Sequence, residues 1–263
     1  GGVNLLTPPL TKELGLSAEG HMQGNGGGDG HMDVQLVKVS SLQLGDATVK
    51  DQVFAQIPLN TMGVIEGVDM PGMVGFETFR RFVTRIDYGA HTMTLIRPDA
   101  FNPKDAGTAV PIKFDGNTIE VPATYDGVQG NFIVDTGNRA SLILNSPFVA
   151  AHAQFAKYST APEAVTGWGI GGPTKSHVIR GTGLVIGDQH VDAPVVLLST
   201  ATKGSDADAS QSGNIGGGVL KRFVVTLDYE HQKMYLKPVT QPVADLDSFD
   251  RSGLWINKSA TGY

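Results

Sequence analysis

The sequence predicts an all-β chain with short helices, written as two copies of one module. Three observations predict this. Of 263 residues, 34 are Gly and 14 are Pro, and no long Ala/Glu/Lys/Leu-rich run reads as a helix. Apolar residues come in short alternating runs separated by Asp-Gly and Gly-Asp pairs, as in strands joined by tight turns. Finally, residues 75–95 (GFETFRRFVTRIDYGAHTMTL) match residues 216–236 (GGGVLKRFVVTLDYEHQKMYL) without a gap, at an offset of 141 (216 − 75 = 141). Gly75/Gly216, Arg81/Arg222, Phe82/Phe223, Val83/Val224, Asp87/Asp228, Tyr88/Tyr229, Met93/Met234 and Leu95/Leu236 are identical pairs. Upstream, Leu42 to Asp46 matches Leu184 to Asp188, and Val49 and Val53 fall on Val191 and Val195. Two copies are too few for a solenoid. A pseudo-two-fold pair with a site at the interface is the simpler geometry.

Each copy reads alike from its start. A Pro-opened helix comes first, Pro8 to Leu14 and Ser146 to Ala151, because Pro loses nothing in the first helical turn. A Gly-rich segment is next, Gly24 to Gly30 and Gly167 to Gly172. Alternating strands then turn at Gly45-Asp46 or Gly187-Asp188. After them comes Met73-Val74-Gly75 in one copy and Asn214-Ile215-Gly216 in the other. A short helix (Glu77 to Arg81, Val219 to Arg222) leads into a final hairpin, Phe82 to Leu95 and Phe223 to Leu236.

The second copy also has a front end. Strands Val110 to Phe114 and Ile119 to Tyr125 flank the turn Asp115-Gly116-Asn117, and Asp126-Gly127 turns the chain into Phe132 to Asp135. Gly1 to Pro9 of the first copy match the residues after Asp135-Thr136, so Gly1 corresponds to Gly137. The first copy's Asp and Thr are therefore expected directly upstream of Gly1, behind a segment like Ala109 to Thr136. A lobe without those strands exposes sheet edges and one side of its core. Such a segment is expected to stay bound to the lobe even if cut.

Within the front end lies the stretch with most chemical content, Asn131 to Asn138. Three apolar residues, Phe132-Ile133-Val134, run into Asp135-Thr136-Gly137, and Leu142 to Leu144 form a second apolar run downstream. A carboxylate at the end of a buried strand is costly to desolvate, a cost tolerated chiefly where the group has work to do. Asp-Thr-Gly alone also occurs in surface turns, so it is the context that raises it.

Composition bounds the function. A net charge of −6 gives no basic footprint for nucleic acid. With no Cys, disulfides and thiolate metal sites are excluded. No apolar run approaches the roughly 18 residues of a membrane span.

An Asp-Thr-Gly at a strand end, then a Gly-rich hairpin, then an apolar-apolar-Gly loop resembles the module of retropepsin-like aspartic proteases. Two modules in one chain resemble the bilobal, pepsin-like arrangement. The Ile-Asp-Tyr and Leu-Asp-Tyr hairpins and Asp135 to Ser141 (DTGNRAS) look most like bacterial retropepsin-like aspartyl proteases with two tandem modules. The resemblance covers about residues 1 to 238. It implies two acid-protease β-barrel lobes related by a pseudo-two-fold, residues 1–98 and 99–238. The tail, 239–263, resembles a linker leading to a PDZ domain. The implied activity is aspartic endopeptidase, with a peptide or protein substrate, no cofactor and a periplasmic or secreted location.

The same resemblance assigns roles. Asp135 is one member of an aspartate dyad and Thr136 braces the two catalytic loops. Gly137 lets backbone approach substrate. Trp168, Gly169, Ile170 and Gly171 form a flap, with Gly24 to Gly30 as its first-lobe counterpart. Gly75 and Gly216 belong to loops beside the substrate. Asn214, polar where the pattern asks for an apolar residue, is expected to loosen its loop.

Other polar residues read as structural. Asp87 and Asp228 sit in hairpins and are expected to pair with Arg or Lys. His21 and His31 flank a Gly loop without ligand spacing. Asp206 to Ser212 (DADASQS) reads as a solvated loop. Two further readings stand beside the endopeptidase. One is a peptide-binding module of the same fold that has lost a carboxylate. The other is a homodimer pairing two copies of Asp135, disfavoured because the internal repeat already holds the partner's place.

Overall fold

The computed structural model describes residues 2–24, 26–58 and 69–240. Turn chemistry sets the strands of the second lobe. Asp126 and Gly127 are both left-handed (φ 48° and 77°), the conformation a two-residue hairpin turn requires. They join Thr118–Tyr125 to Val128–Val134 in antiparallel register, Tyr125 opposite Val128 and Glu120 opposite Ile133. Alternation then turns Ile119, Val121, Ala123 and Tyr125 inward, where Phe132 and Val134 join them in the core. Complete burial of a side chain such as Phe132 contributes about 2–3 kcal/mol.

The second-lobe sheet runs in the order Glu163–Gly169, Gly172–Arg180, Val195–Ser199, Leu142–Leu144, Gly213–Ile215, Val128–Val134, Thr118–Tyr125, Gly183–Ile186, Gln189–Asp192. Lys113–Asp115 pairs on the side with Thr118–Tyr125. The first-lobe sheet runs Ala18–Gly24, Met32–Leu44, Ala47–Gln56, Leu5–Leu6, Gly72–Met73. The chain is mostly β with a few short helices, as the sequence predicts, and among the described residues each ladder is traced as a path of neighbouring strands.

Strand pairings of the first lobe recur in the second. Leu5 lies opposite Ala55 and Met73, as Ile143 lies opposite Leu197 and Asn214. Val37 faces Phe54 as Ile179 faces Val196, and Leu42 faces Val49 as Leu184 faces Val191. Left-handed residues recur at the same places: Gly45 and Gly187 (57° and 63°), Asp51 and Ala193 (53° and 46°), His91 and Gln232 (53° each). Uncommon backbone conformations at matching positions mean that both copies fold alike, even where Asp replaces Ala.

A third sheet joins the lobes, in the order Thr92–Ile96, Val83–Asp87, Phe223–Asp228, Lys233–Pro238, Thr108–Pro111. At its centre the two copies pair with each other. Val224 lies opposite Asp87, Asp228 opposite Val83 and Thr226 opposite Arg85. Arg85 and Thr226 are themselves repeat equivalents (226 − 85 = 141), so the pairing is self-complementary and the pseudo-two-fold axis passes between them. The strand expected over Val110 to Phe114 is split between sheets. Thr108–Pro111 pairs with Lys233–Pro238, and Lys113–Asp115 turns back on Thr118–Glu120. Buried Ile112 sits at the break, packed in the second-lobe core.

One repeated strand diverges. Gly213–Ile215 is flanked on both sides, by Leu142–Leu144 and by Val128–Val134. Its first-lobe equivalent, Gly72–Met73, pairs only with Leu5–Leu6 and ends the sheet among the described residues. Among the described residues the first-lobe core forms two clusters, around Leu5, Val34 and Ile57 and around Leu6, Val37 and Phe54. No helix of the described residues is long and apolar enough to cross a membrane. The expected linker lies outside the described residues beyond residue 240.

Candidate active site

Asp135 directly succeeds Val128–Val134, and its backbone N–H donates to the Ile215 carbonyl at 3.0 Å. The strand thus delivers the carboxylate to the end of a parallel pair in the sheet interior. Gly137 N–H donates to Asp135 Oδ1 at 2.9 Å and Asn138 N–H to the Asp135 carbonyl at 3.2 Å, curling the loop back on the acid. Thr136 and Gly137 are exposed. Among the described residues the Thr136 hydroxyl has no partner that would make it a brace.

Asn138 locks this loop. Its Oδ1 accepts from Ala140 N–H at 2.9 Å, its carbonyl accepts from Gly217 N–H at 2.6 Å, and its Nδ2 donates to Asn214 Oδ1 at 3.0 Å. The expectation that Asn214 loosens its loop is therefore corrected. A polar side chain there supplies the acceptor that ties the Asp135 loop to Gly213–Ile215, which an apolar residue could not do.

Gly75 and Gly216 cap the short helices Phe76–Phe79 and Gly217–Leu220, and both are buried. Gly216 N–H donates to the Ser141 carbonyl at 3.0 Å and Gly75 N–H to Asn4 Oδ1 at 2.7 Å. Asn4 Oδ1 also accepts from the Thr78 hydroxyl at 3.2 Å. A Cβ on Gly216 would land on the Ala140 carbonyl. Both amides are hydrogen-bonded within the protein, so these glycines hold their loops together.

Leu5-Leu6 superpose in register on Ile143-Leu144, an offset of 138 (143 − 5 = 138). The match of Gly1 to Gly137 is an offset of 136 (137 − 1 = 136), so it makes the first-lobe loop two residues shorter than its counterpart.

The flap expected at Gly167 to Gly172 is a hairpin tip, between Glu163–Gly169 and Gly172–Arg180, with Trp168 opposite Pro173. It meets the first lobe's Gly-rich loop tip to tip. Gly171 N–H donates to the Gly27 carbonyl at 2.7 Å and Gly30 N–H to the Gly171 carbonyl at 2.8 Å. Glycine is needed here, since a Cβ on Gly171 would come within 2.6 Å of the Gly28 carbonyl oxygen and 2.7 Å of that of Gly30. Ile170 reaches across into the first-lobe cluster of Leu5, Val34 and Ile57.

Beneath Ile170 runs a groove of about 730 Å³. Val3, Val34, Leu36, Val53, Ala55 and Ile57 of the first lobe line it, with Glu77, Arg80 and Arg81 among its charged residues and Asn117 contributed by the second lobe. Leu36 and Val53 are 42% and 48% exposed, an apolar wall open to a ligand. Asp135 is not part of its lining.

Other expectations are settled locally. Asp87 sits 3.4 Å from Arg85, as expected, but Asp228 pairs with His231 at 2.9 Å and accepts its backbone N–H. A histidine from the same tight turn stands where a nearby Arg or Lys is expected. His21 Nδ1 lies 2.9 Å from Asp33. The 206–212 loop is not simply solvated. Asn145 Nδ2 donates to the Ser205 and Asp208 carbonyls at 3.1 Å, and buried Gln211 donates to Asp115 at 2.8 Å. Burial pushes the Asp206 carboxyl above its ordinary range.

One residue that sequence reasoning missed feels the charge of the acid. Tyr88 comes directly after Asp87, across the pseudo-two-fold, and packs on the second-lobe core. Burial raises its phenol pKa, and the charge of Asp135 raises it further. Its identity with Tyr229 in the other copy was the available signal.

No protein-family model matches the chain, and no curated protein matches it. Among solved structures, a retropepsin-like aspartic protease from Rickettsia conorii is similar at 17% identity with a TM-score of 0.36, over 49% of this chain and 88% of that one.

Proposed function

We propose that the protein is an aspartic endopeptidase in which Asp135 is one carboxylate of a dyad and the second is supplied from directly upstream of Gly1. The observation that carries this reading is the duplicated architecture around Asp135. The acid ends an interior strand, its loop is locked by Asn138, and the lobe bearing it is paired with its own repeat through a self-complementary sheet. Gly72–Met73 is the first-lobe counterpart of the strand that flanks the Asp135 strand, and its outer edge is where a matching acid-bearing strand would pair.

In the proposed reaction one carboxylate is ionised and the other protonated, since two carboxyls close together hold a single proton between them. The ionised group takes a proton from water while the water oxygen attacks the scissile carbonyl carbon. The protonated group gives its proton to the carbonyl oxygen. The resulting diol collapses, the C–N bond breaks, and the departing nitrogen leaves with a proton as the amine. Thr136 and Gly137 place backbone beside the reacting group. The apolar groove and Trp168, Gly169, Ile170 and Gly171 above it suit an extended peptide.

A statine-type transition-state mimic tests this reading. It should bind the full-length protein at acidic pH, block peptide cleavage, and protect the amides of Gly137 and Gly171 from exchange. Inhibition by a chelator instead, with no binding of the mimic, would overturn it.

The second reading, a peptide-binding module without catalysis, is favoured by one observation: the groove is lined without Asp135. Peptide binding with no turnover by the full-length protein would select it.

A further inference from the structure

Of the eight large apolar side chains exposed among the described residues, four line the groove beneath Ile170: Val3, Met22, Leu36 and Val53. Single exposed apolar residues are ordinary, but four gathered on one concave surface mark a place where something binds. The repeat shows the same face better covered. Leu36 and Val53 match Val178 and Val195 of the second lobe (178 − 36 = 142; 195 − 53 = 142), and both of those are half-buried. The charged residues of the lining are Asp51, Glu77, Arg80 and Arg81. Glu77 and Arg80 satisfy each other, with Arg80 Nε donating to Glu77 Oε2 at 2.9 Å and its guanidinium 6.0 Å from the Phe76 ring centre. Arg81 is different. Its Nε donates to the Glu77 carbonyl at 3.1 Å, and its two terminal nitrogens have no partner among the described residues. A guanidinium anchored through Nε presents those nitrogens as a fork that fits a carboxylate.

We infer that the groove takes an extended peptide of apolar residues that carries one acidic side chain, paired with Arg81. The wall dictates the apolar part. Leu36 lies opposite Ala55 on the neighbouring strand and Val53 two residues before it, so one sheet face presents them together to the alternate side chains of an extended segment. Arg81 dictates the acid, since its charge-assisted bonds to a carboxylate are stronger than those to a neutral amide. Asn117, which the second lobe contributes to the lining, is neutral and does not oppose the acid. Asp51 makes no ion pair among the described residues and repels a second acid, so the preference is for one carboxylate and not for acidic peptides in general. This deepens, and rests on, the reading of the groove as a peptide site. It names the substrates as apolar segments holding a single Asp or Glu. Arg81 acts in their selection and takes no part in bond cleavage.

The test is fluorescence anisotropy on the full-length protein carrying Asp135→Asn, which leaves a bound peptide intact. Three labelled peptides of Leu and Val are compared, identical except for one central Glu, Gln or Lys. Both ends are blocked, so no terminal carboxylate competes for the arginine. The Glu peptide should bind about tenfold more tightly than the Gln peptide at low salt, and the ratio should shrink as salt rises. Adding Arg81→Gln should bring the ratio to about one. Adding Arg81→Glu should reverse the order, with the Lys peptide bound more tightly than the Glu peptide; this gain cannot come from misfolding. Leu36→Ser should weaken the Glu and Gln peptides alike. Equal binding of Glu and Gln peptides, binding of neither, or a Glu preference that survives Arg81→Gln would overturn the inference. A dimer in sedimentation that Leu36→Ser dissolves, with neither peptide bound, would give the groove to a second copy of the chain instead. The Glu preference without cleavage by wild type would count against the endopeptidase and not against Arg81. Cleavage by wild type with no such preference would count against Arg81 alone.

Discussion

Replacing Asn214 by Met, the residue at the equivalent position of the first copy, should weaken the protein although it restores the apolar pattern. The side chain at 214 accepts from Asn138 Nδ2 at 3.0 Å in a half-buried setting. A net hydrogen bond there contributes about 1 kcal/mol, and leaving the amide donor without a partner adds about 1–2 kcal/mol more. The expected loss is about 2–3 kcal/mol, or about 4–10 °C in Tm for a chain of this size. Asn138 has two further roles in the loop, through its Oδ1 and its carbonyl, so the loop should remain folded and the acid should be displaced rather than released. A displacement near 1 Å at a reacting group can cost up to about 100-fold in rate. Denaturant unfolding of the wild type, Asn214→Met, Asn138→Ala and the double variant gives the coupling energy directly. A coupling near 1 kcal/mol supports the lock. Zero coupling, with Asn214→Met as stable as wild type, would refute it.

Two other perturbations arise from the geometry. Gly171→Ala places a methyl against the Gly28 and Gly30 carbonyls, so amide exchange at Gly30 should speed up at least about tenfold as the tip contact opens; unchanged exchange would mean that the tips do not meet in solution. Asp206 has its folded-state pKa raised by burial, so the folded protein holds that proton more tightly than the unfolded chain, and its contribution to stability is greatest at low pH and falls as pH rises through the raised value. Asp206→Asn should therefore raise Tm by about 2 °C at pH 7 and change it little at pH 3, and a gain at pH 3 only would contradict the sign.

Much of this was legible from residue spacing. Asp126-Gly127 between alternating strands specifies its turn, and the offset of 141 marks two copies of one module, although not that their Val83–Asp87 and Phe223–Asp228 strands pair with each other. What the sequence hid was long-range pairing. Nothing local in Thr108 to Asp115 reveals that Ile112 divides it between two sheets, because both halves alternate alike and only the partners differ. Asn214 read as a defect because an apolar pattern has no notation for an acceptor supplied to a residue 76 positions earlier. A repeated glycine such as Gly216 signals close backbone approach without saying to what, and only the structure shows that a Cβ there would meet the carbonyls of Ala140 and Asn138. The meeting of Gly171 with Gly27 depends on two lobes at once, and local propensity carries no trace of it.

The central claim is that Asp135 is a reacting acid, and one comparison tests it most directly. Full-length wild type and Asp135→Asn are incubated at acidic pH with a denatured protein substrate, and new peptide termini are counted by mass spectrometry. The substitution keeps the side chain's shape and its acceptor for Gly137 N–H, so both proteins should show the same Tm and bind the substrate alike. Wild type should generate new termini, and Asp135→Asn should lose at least about a thousandfold in rate, since the group that takes the proton from water is gone. Cleavage by Asp135→Asn at the wild-type rate would contradict the account.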